Sequence, residues 1–166
     1  LLKAVREANP EAFIVFKPHP DVVTGNREGT ITAETVRTCT NLIVTSGSLN
    51  DFWPYVDEVH TLTSLSGFDA LLRHKKVVTY GKPFYAGWGL TTDNSAEKRM
   101  DIALTLGELI AGVMIQYPKY WDWKTSCVCR PEDVCYRMLR KEQPEVGLWI
   151  KVCRIAKVVR RVLSRK

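Results

Sequence analysis

Three short segments of the sequence hold residue types that suit an anionic ligand. In Lys17-Pro18-His19-Pro20-Asp21, two prolines restrict the residues before them to extended backbone and present His19 rigidly. An imidazole so placed can be charged by an adjacent phosphate and donate to it; the plainer alternative is a turn whose histidine caps a carbonyl. Thr63-Ser64-Leu65-Ser66-Gly67-Phe68 leads into a helix, where hydroxyls and free amides suit a phosphate and Gly67 would let an anion approach the backbone. The same residues could serve the helix alone, because Ser66 and Asp69 stand at capping-box spacing. Ser46-Gly47-Ser48 is a third small polar segment. His60 and His74 read as structural. Cys127 and Cys129 are too close-set for a usual zinc pair and no histidine follows at ligand spacing, so neither a metal site nor any other cofactor is expected.

These segments fall at the ends of elements that would position them. Ala12–Phe16, Asn41–Thr45, Glu58–Leu62 and Lys76–Tyr80 read as buried strands. Residues 1–9, Thr32–Thr38, Leu49–Val56, Gly67–Arg73 and 101–117 read as helices. Strands without strict alternation, separated by helices, predict an α/β fold: a Rossmann-like parallel sheet with helices on both faces, followed by C-terminal helices. In such a sheet ligands bind beyond the carboxyl ends of the strands, where all three segments lie. The fourth strand runs into Tyr80–Asp93, a loop with three glycines and four aromatic residues before Thr91. Its rings either pack under the sheet edge or wall a pocket for a nucleotide or sugar.

The chain has 166 residues, 45% of them hydrophobic and 25% charged, which fits one ordinary domain with one core. No run approaches the roughly 18 apolar residues of a spanning helix. Its start, Leu1-Leu2-Lys3-Ala4, reads as cut from a longer polypeptide. Five scattered cysteines, an odd number, fit a reducing cytoplasm better than a disulfide framework. The net charge of +6 is localised: residues 147–166 carry seven cations and no acid, while the other 146 hold 17 cations against 18 acids. A near-neutral body argues against nucleic acid as a partner. On a helical projection Leu148, Val152, Ile155, Val159, Val162 and Leu163 share one arc opposite the cations, with Trp149 near the boundary. That pattern suits an anionic membrane surface, or a surface helix packing on the protein itself. The organisation expected is a lobe over 1–120, a linker and helix over 121–146, and a basic amphipathic helix over 147–166.

The run from Val59 to Arg73, with Thr63-Ser64-Leu65-Ser66-Gly67-Phe68-Asp69 at its centre, followed by Tyr80-Gly81-x-Pro83-Phe84-Tyr85-Ala86-Gly87-Trp88-Gly89-Leu90-Thr91, resembles the bacterial capsular-polysaccharide biosynthesis family. Lys17-Pro18-His19-Pro20 is similar to the His-Pro motif shared with bacterial sialyltransferases of the two-lobed GT-B fold. Studied members of the capsular family are β-Kdo glycosyltransferases that use CMP-Kdo to build a linker on a phosphatidylglycerol lipid. The resemblance therefore implies a glycosyltransferase and, for this chain, its CMP-Kdo-binding lobe. It implies that His19, Ser64 and Ser66 hold the CMP phosphate, with Gly67 beside them. Pro20 and the Ser46, Gly47 and Ser48 tip would border ribose and cytosine. Catalytic carboxylates are implied in a preceding acceptor lobe, so none is assigned here. The implied partners are the CMP-Kdo donor, a lipid-linked acceptor, the acceptor lobe and an anionic membrane, placing the protein in the cytoplasm, peripheral on the inner membrane. A non-catalytic nucleotide-binding scaffold module of capsule assembly is the alternative. The sequence departs from the family's pattern at one point: the usual glycine after Leu71-Leu72-Arg73 is His74.

Overall fold

Apolar residues three apart give the first helices one buried face each, and their caps set where they begin and end. In helix α1 (Leu2–Ala8) Leu2 and Val5 are buried; in α2 (Ala33–Cys39) Val36 and Cys39 are. The Thr32 side chain caps α2 by accepting from Thr35 N. The two helices pack on each other, and Leu2, Val36 and Cys39 close over Phe16. Phe16 belongs to strand β1 (Val15–Phe16), which pairs in parallel with β2 (Leu42–Ile43). Asn41 Oδ1 anchors the start of this ladder, accepting from Ile14 N at 2.8 Å and from Arg6 Nη2 at 2.6 Å. The computed structural model describes residues 1–18, 31–95 and 102–142.

A second parallel ladder carries the middle of the chain. Strands β3 (Glu58–Thr61), β4 (Lys76–Thr79) and β5 (Thr92–Asp93) lie in that order. Helix α3 (Leu65–Leu71) connects the first two and packs on both, burying Phe68, Ala70 and Leu71. The α/β class with parallel strands holds. The expected single run of four strands is instead two ladders among the described residues, and β5, unforeseen, ends the aromatic loop. The helix expected over Leu49–Val56 is a pair of 3₁₀ turns, Leu49–Asp51 and Trp53–Tyr55, with Pro54 in the first turn of the second.

The helix expected over 101–117 also differs from expectation. Rather than at 101, helix α4 (Leu106–Ile110) begins after Thr105, where a reciprocal cap fixes the start. Glu108 N donates to Thr105 Oγ1 at 3.2 Å, and Glu108 Oε2 accepts from Thr105 N at 2.7 Å. These bonds, the backbone one first, hold the Glu108 carboxyl below its ordinary value. The helix then widens into a π turn, Ala111–Gln116, closed by Tyr117 N donating to Gly112 O at 2.9 Å.

The chain divides into two compact units, Leu1–Leu109 and Ile110–Lys166. Within the second, where a linker and helix were expected, an antiparallel hairpin of β6 (Tyr120–Asp122) and β7 (Cys127–Cys129) precedes helix α5 (Pro131–Leu139). Asp122 joins hairpin to helix, accepting from Arg137 Nε at 2.9 Å and from Nη2 at 2.7 Å. The Arg137 bonds foremost hold the Asp122 carboxyl well below the usual carboxylate range. Among the described residues no helix is long and apolar enough to cross a membrane.

Candidate functional site

Strand tips meet in two pairs. Beyond β1, Lys17 Nζ donates to Gly47 O at 3.1 Å and to Ser46 O at 3.5 Å, so the first two tips touch. Gly47 has φ +85°, a left-handed turn that glycine enters without a Cβ penalty. Ser48 is committed to the following 3₁₀ turn: its Oγ accepts from Asn50 N, and its own N donates to Asp51 Oδ2. Ser46, Gly47 and Ser48 are exposed. His19 and Pro20, the other residues expected at this tip, lie outside the described residues.

The second pair joins the ends of β3 and β4, where Tyr80 N donates to Thr61 O at 2.9 Å. Ser64 is the N-cap of α3, with its side chain accepting from Ser66 N at 3.2 Å. This corrects the expected cap by two residues, from Ser66 to Ser64. The hydroxyls of Ser64 and Ser66 stand 2.9 Å apart, the first exposed and the second half-buried. Thr61 Oγ1 accepts from Ser64 N at 3.2 Å, and Tyr85 OH donates to Ser64 O at 2.5 Å. The turn bearing both hydroxyls is thereby fixed from two sides.

Gly67 has a packing task beside the ligand role expected of it. A Cβ there would stand 2.7 Å from Tyr85 Cζ, so the ring already occupies the space a side chain would need. The aromatic loop takes the packing option at this point. Tyr85 is fully buried, and Phe84 and Tyr85 lie against Phe68 with ring centroids 5.2 and 6.4 Å away. Trp88 Nε1 donates to Phe84 O at 2.8 Å.

Asp93, missed by the sequence reading, holds the loop shut. Its Oδ1 accepts from Thr79 Oγ1 at 2.6 Å and Thr91 Oγ1 at 2.7 Å, and its Oδ2 from Gly87 N at 2.8 Å. The only available signal was an acid following two threonines at the end of a glycine-rich run. A cavity of about 220 Å³, lined by Glu58, Lys76 and Leu90 among others, lies at the amino ends of β3 and β4 and includes none of the expected site residues.

Burial pushes the Tyr85 phenol up to about 12 from its ordinary 10. Above pH ~10 the unfolded chain loses a proton that the folded chain keeps, so this contribution favours unfolding as pH rises. Stability should fall between pH about 10 and 12 by up to roughly 2 to 3 kcal/mol. Tyr85→Phe should lose that part of the slope while costing about 1 kcal/mol at neutral pH for the missing hydrogen bond. Urea denaturation at pH 8, 10 and 11 checks this; parallel curves for both proteins would refute it.

The structural histidines take the places expected of them. His60 Nε2 pairs with Glu58 at 2.8 Å and its Nδ1 lies 3.2 Å from Tyr80 OH. His74 has φ +55° just past α3, the left-handed position where a glycine commonly ends a helix. The departure from the family's glycine is therefore at the far end of α3 from Ser64 and Ser66.

The first unit is thus an α/β fold with parallel strands and hydroxyl-bearing strand tips. The model of the family described as capsule polysaccharide biosynthesis protein matches residues 1–120, and the chain belongs to this family. It is 46% identical over 142 residues to the capsule polysaccharide modification protein LipA of Neisseria meningitidis serogroup B, covering 86% of this chain and 20% of that protein. It is 39% identical over 120 residues to the lipopolysaccharide-processing protein LpsZ of Rhizobium meliloti, covering 72% and 27%. Among solved structures it resembles the KpsC β-Kdo 2,7 transferase of Thermosulfurimonas dismutans, with TM-score 0.75, 40% identity and coverage of 86% of this chain and 46% of that one. The β-Kdo 2,4 transferase of the same organism gives TM-score 0.68 at 33% identity, over 81% and 42%. The chain thus spans about a fifth to a quarter of the curated relatives it matches and under half of the solved chains.

Proposed function

We propose that this chain is the donor-binding lobe of a capsular β-Kdo transferase, taking CMP-Kdo and working with an acceptor lobe that holds a lipid-linked acceptor. The observation that carries the reading is the Ser64–Ser66 hydroxyl pair, fixed at the carboxyl end of a parallel strand in a chain similar to KpsC Kdo transferases. Transfer breaks the bond between Kdo and the CMP phosphate oxygen and forms one to an acceptor hydroxyl. A general base in the acceptor lobe would take the proton. The departing phosphate carries the developing charge, which hydroxyls and an imidazole can stabilise without a metal clamp. Residues 147–166 would hold the protein on the cytoplasmic face of the inner membrane.

CMP titrated calorimetrically into the chain should bind, and His19→Ala and Ser64→Ala should each weaken binding by about 1–3 kcal/mol. Ser64→Ala also removes a helix cap, so Ser66→Ala supplies the arm in which affinity drops and stability holds. Unchanged CMP affinity in all three variants would end the donor-site reading. EDTA should leave the titration unaltered, because the chain has no Asp-x-Asp pair to bridge a cation and a phosphate. Binding abolished by EDTA and restored by magnesium would contradict this.

A further inference from the structure

The hairpin of the second unit has two chemically different faces. Register pairs Tyr120 with Cys129, Trp121 with Val128 and Asp122 with Cys127. Strand alternation puts Asp122 on the face that meets Arg137 of α5, and Trp121 with Val128 on the opposite face. Trp121 is 56% and Val128 68% exposed. The next positions of the same alternation are Lys119 and Arg130, both exposed. The Arg130 guanidinium stands 3.6 Å from Asp133, and its backbone N donates to the same carboxylate at 3.0 Å. The outward face is thus an apolar pair bordered by two cations.

We propose that this face is a second membrane contact, seating Trp121 and Val128 among the acyl chains of an anionic leaflet with Lys119 and Arg130 at headgroup level. Tryptophan favours the bilayer interface because its ring is apolar at one edge and polar at the other. Cations at the border complement anionic headgroups. An extended sugar chain would need hydrogen-bonding groups at the centre of the face, where Val128 offers none. The same unit runs on into residues 147–166, with seven cations and no acid. Peripheral anchoring generally takes two weak signals rather than one, and two linked contacts multiply. This inference rests on the membrane reading of that tail and is independent of CMP binding.

The test is flotation of the intact chain with vesicles of phosphatidylglycerol and phosphatidylcholine, beside the same chain carrying Trp121→Ser and Val128→Ser. The double variant should need several-fold more lipid for half-maximal flotation, with an unchanged circular-dichroism spectrum and urea midpoint as the folding control. Lys119→Glu, which leaves the apolar pair intact, should weaken flotation only on phosphatidylglycerol vesicles. Acyl-chain-brominated lipid should quench part of the fluorescence of the parent that is missing from Trp121→Phe. Equal flotation of parent and double variant overturns the hairpin contact and leaves the tail as anchor. No flotation of the parent overturns both membrane contacts and leaves the donor site standing. Trp121-dependent binding to a soluble acidic polysaccharide, without vesicle binding, overturns the choice of partner.

Discussion

Gly67→Ala should lower the stability of the fold by roughly 4 kcal/mol, read as a shift in the urea midpoint. An added Cβ would meet the Tyr85 ring at 2.7 Å from Cζ and 2.9 Å from Cε2, with the phenol oxygen also in contact. The ring has no free direction in which to yield. It is fully buried, donates to Ser64 O, and stands edge-on to Phe84 at 5.2 Å. Either the helix is pushed off β3 and β4 or the tyrosine is expelled, and expelling a buried aromatic costs about 3–5 kcal/mol. Gly67→Ala with Tyr85→Phe removes the phenol oxygen but leaves the ring, so it should recover part of the loss. If Gly67 were bare to admit a phosphate, the alanine variant would lose CMP affinity and keep its midpoint. A midpoint within about 0.5 kcal/mol of the parent would defeat the packing account.

The contrast between Gly67 and its neighbours shows which parts of the site a sequence can reveal. Short apolar runs ended by Ser-Gly-Ser, Thr-Ser and Gly-Lys-Pro betray strands and their carboxyl tips, because turn chemistry is written locally. Burial is not: Leu42 and Ile43 of β2, expected to be buried, are 45% and 49% exposed. The choice between Ser64 and Ser66 as cap is not local. It is settled by Thr61 Oγ1 from the strand before and by Tyr85, 21 residues later, pulling on Ser64 O. Gly67 likewise owes its identity to that distant ring. The β6–β7 hairpin escaped notice because its turn lacks the usual glycine: Ser126 takes φ +53° instead. The π turn after Ile110 leaves no mark in a periodicity read at 3.6 residues per turn. His19, Pro20 and the basic tail lie outside the described residues, so their roles rest on resemblance and charge pattern.

Asp93→Ala should release the loop of residues 81–92 and raise its cleavage by a nonspecific protease roughly 100-fold. One carboxylate closes that loop onto β4 through three donors. Thr79 is 0% exposed, so deleting its acceptor leaves a buried hydroxyl unpaired, while Thr91 and Gly87 lose theirs nearer to solvent. A lost charge-assisted bond to a buried group with two weaker ones amounts to about 3 kcal/mol. That loss falls on local opening of the loop, where protection is lower than for the whole fold. Asp93→Asn separates charge from geometry. Its single oxygen can still accept from Thr79 and Thr91, but its amide faces Gly87 N–H donor to donor, so cleavage should rise by an intermediate factor. In the parent the same loop should resist nicking, because Tyr85 is fully buried, Trp88 is half-buried and Asp93 ties the loop to β4, although Phe84 is 40% exposed. Cleavage first within residues 81–92 of the folded parent, or at equal rates in parent and Asp93→Ala, would show that the carboxylate does not hold the loop. Should the alanine variant also lose CMP affinity, the connection would run through Tyr85: the loop that Asp93 closes carries the phenol fixing Ser64 O.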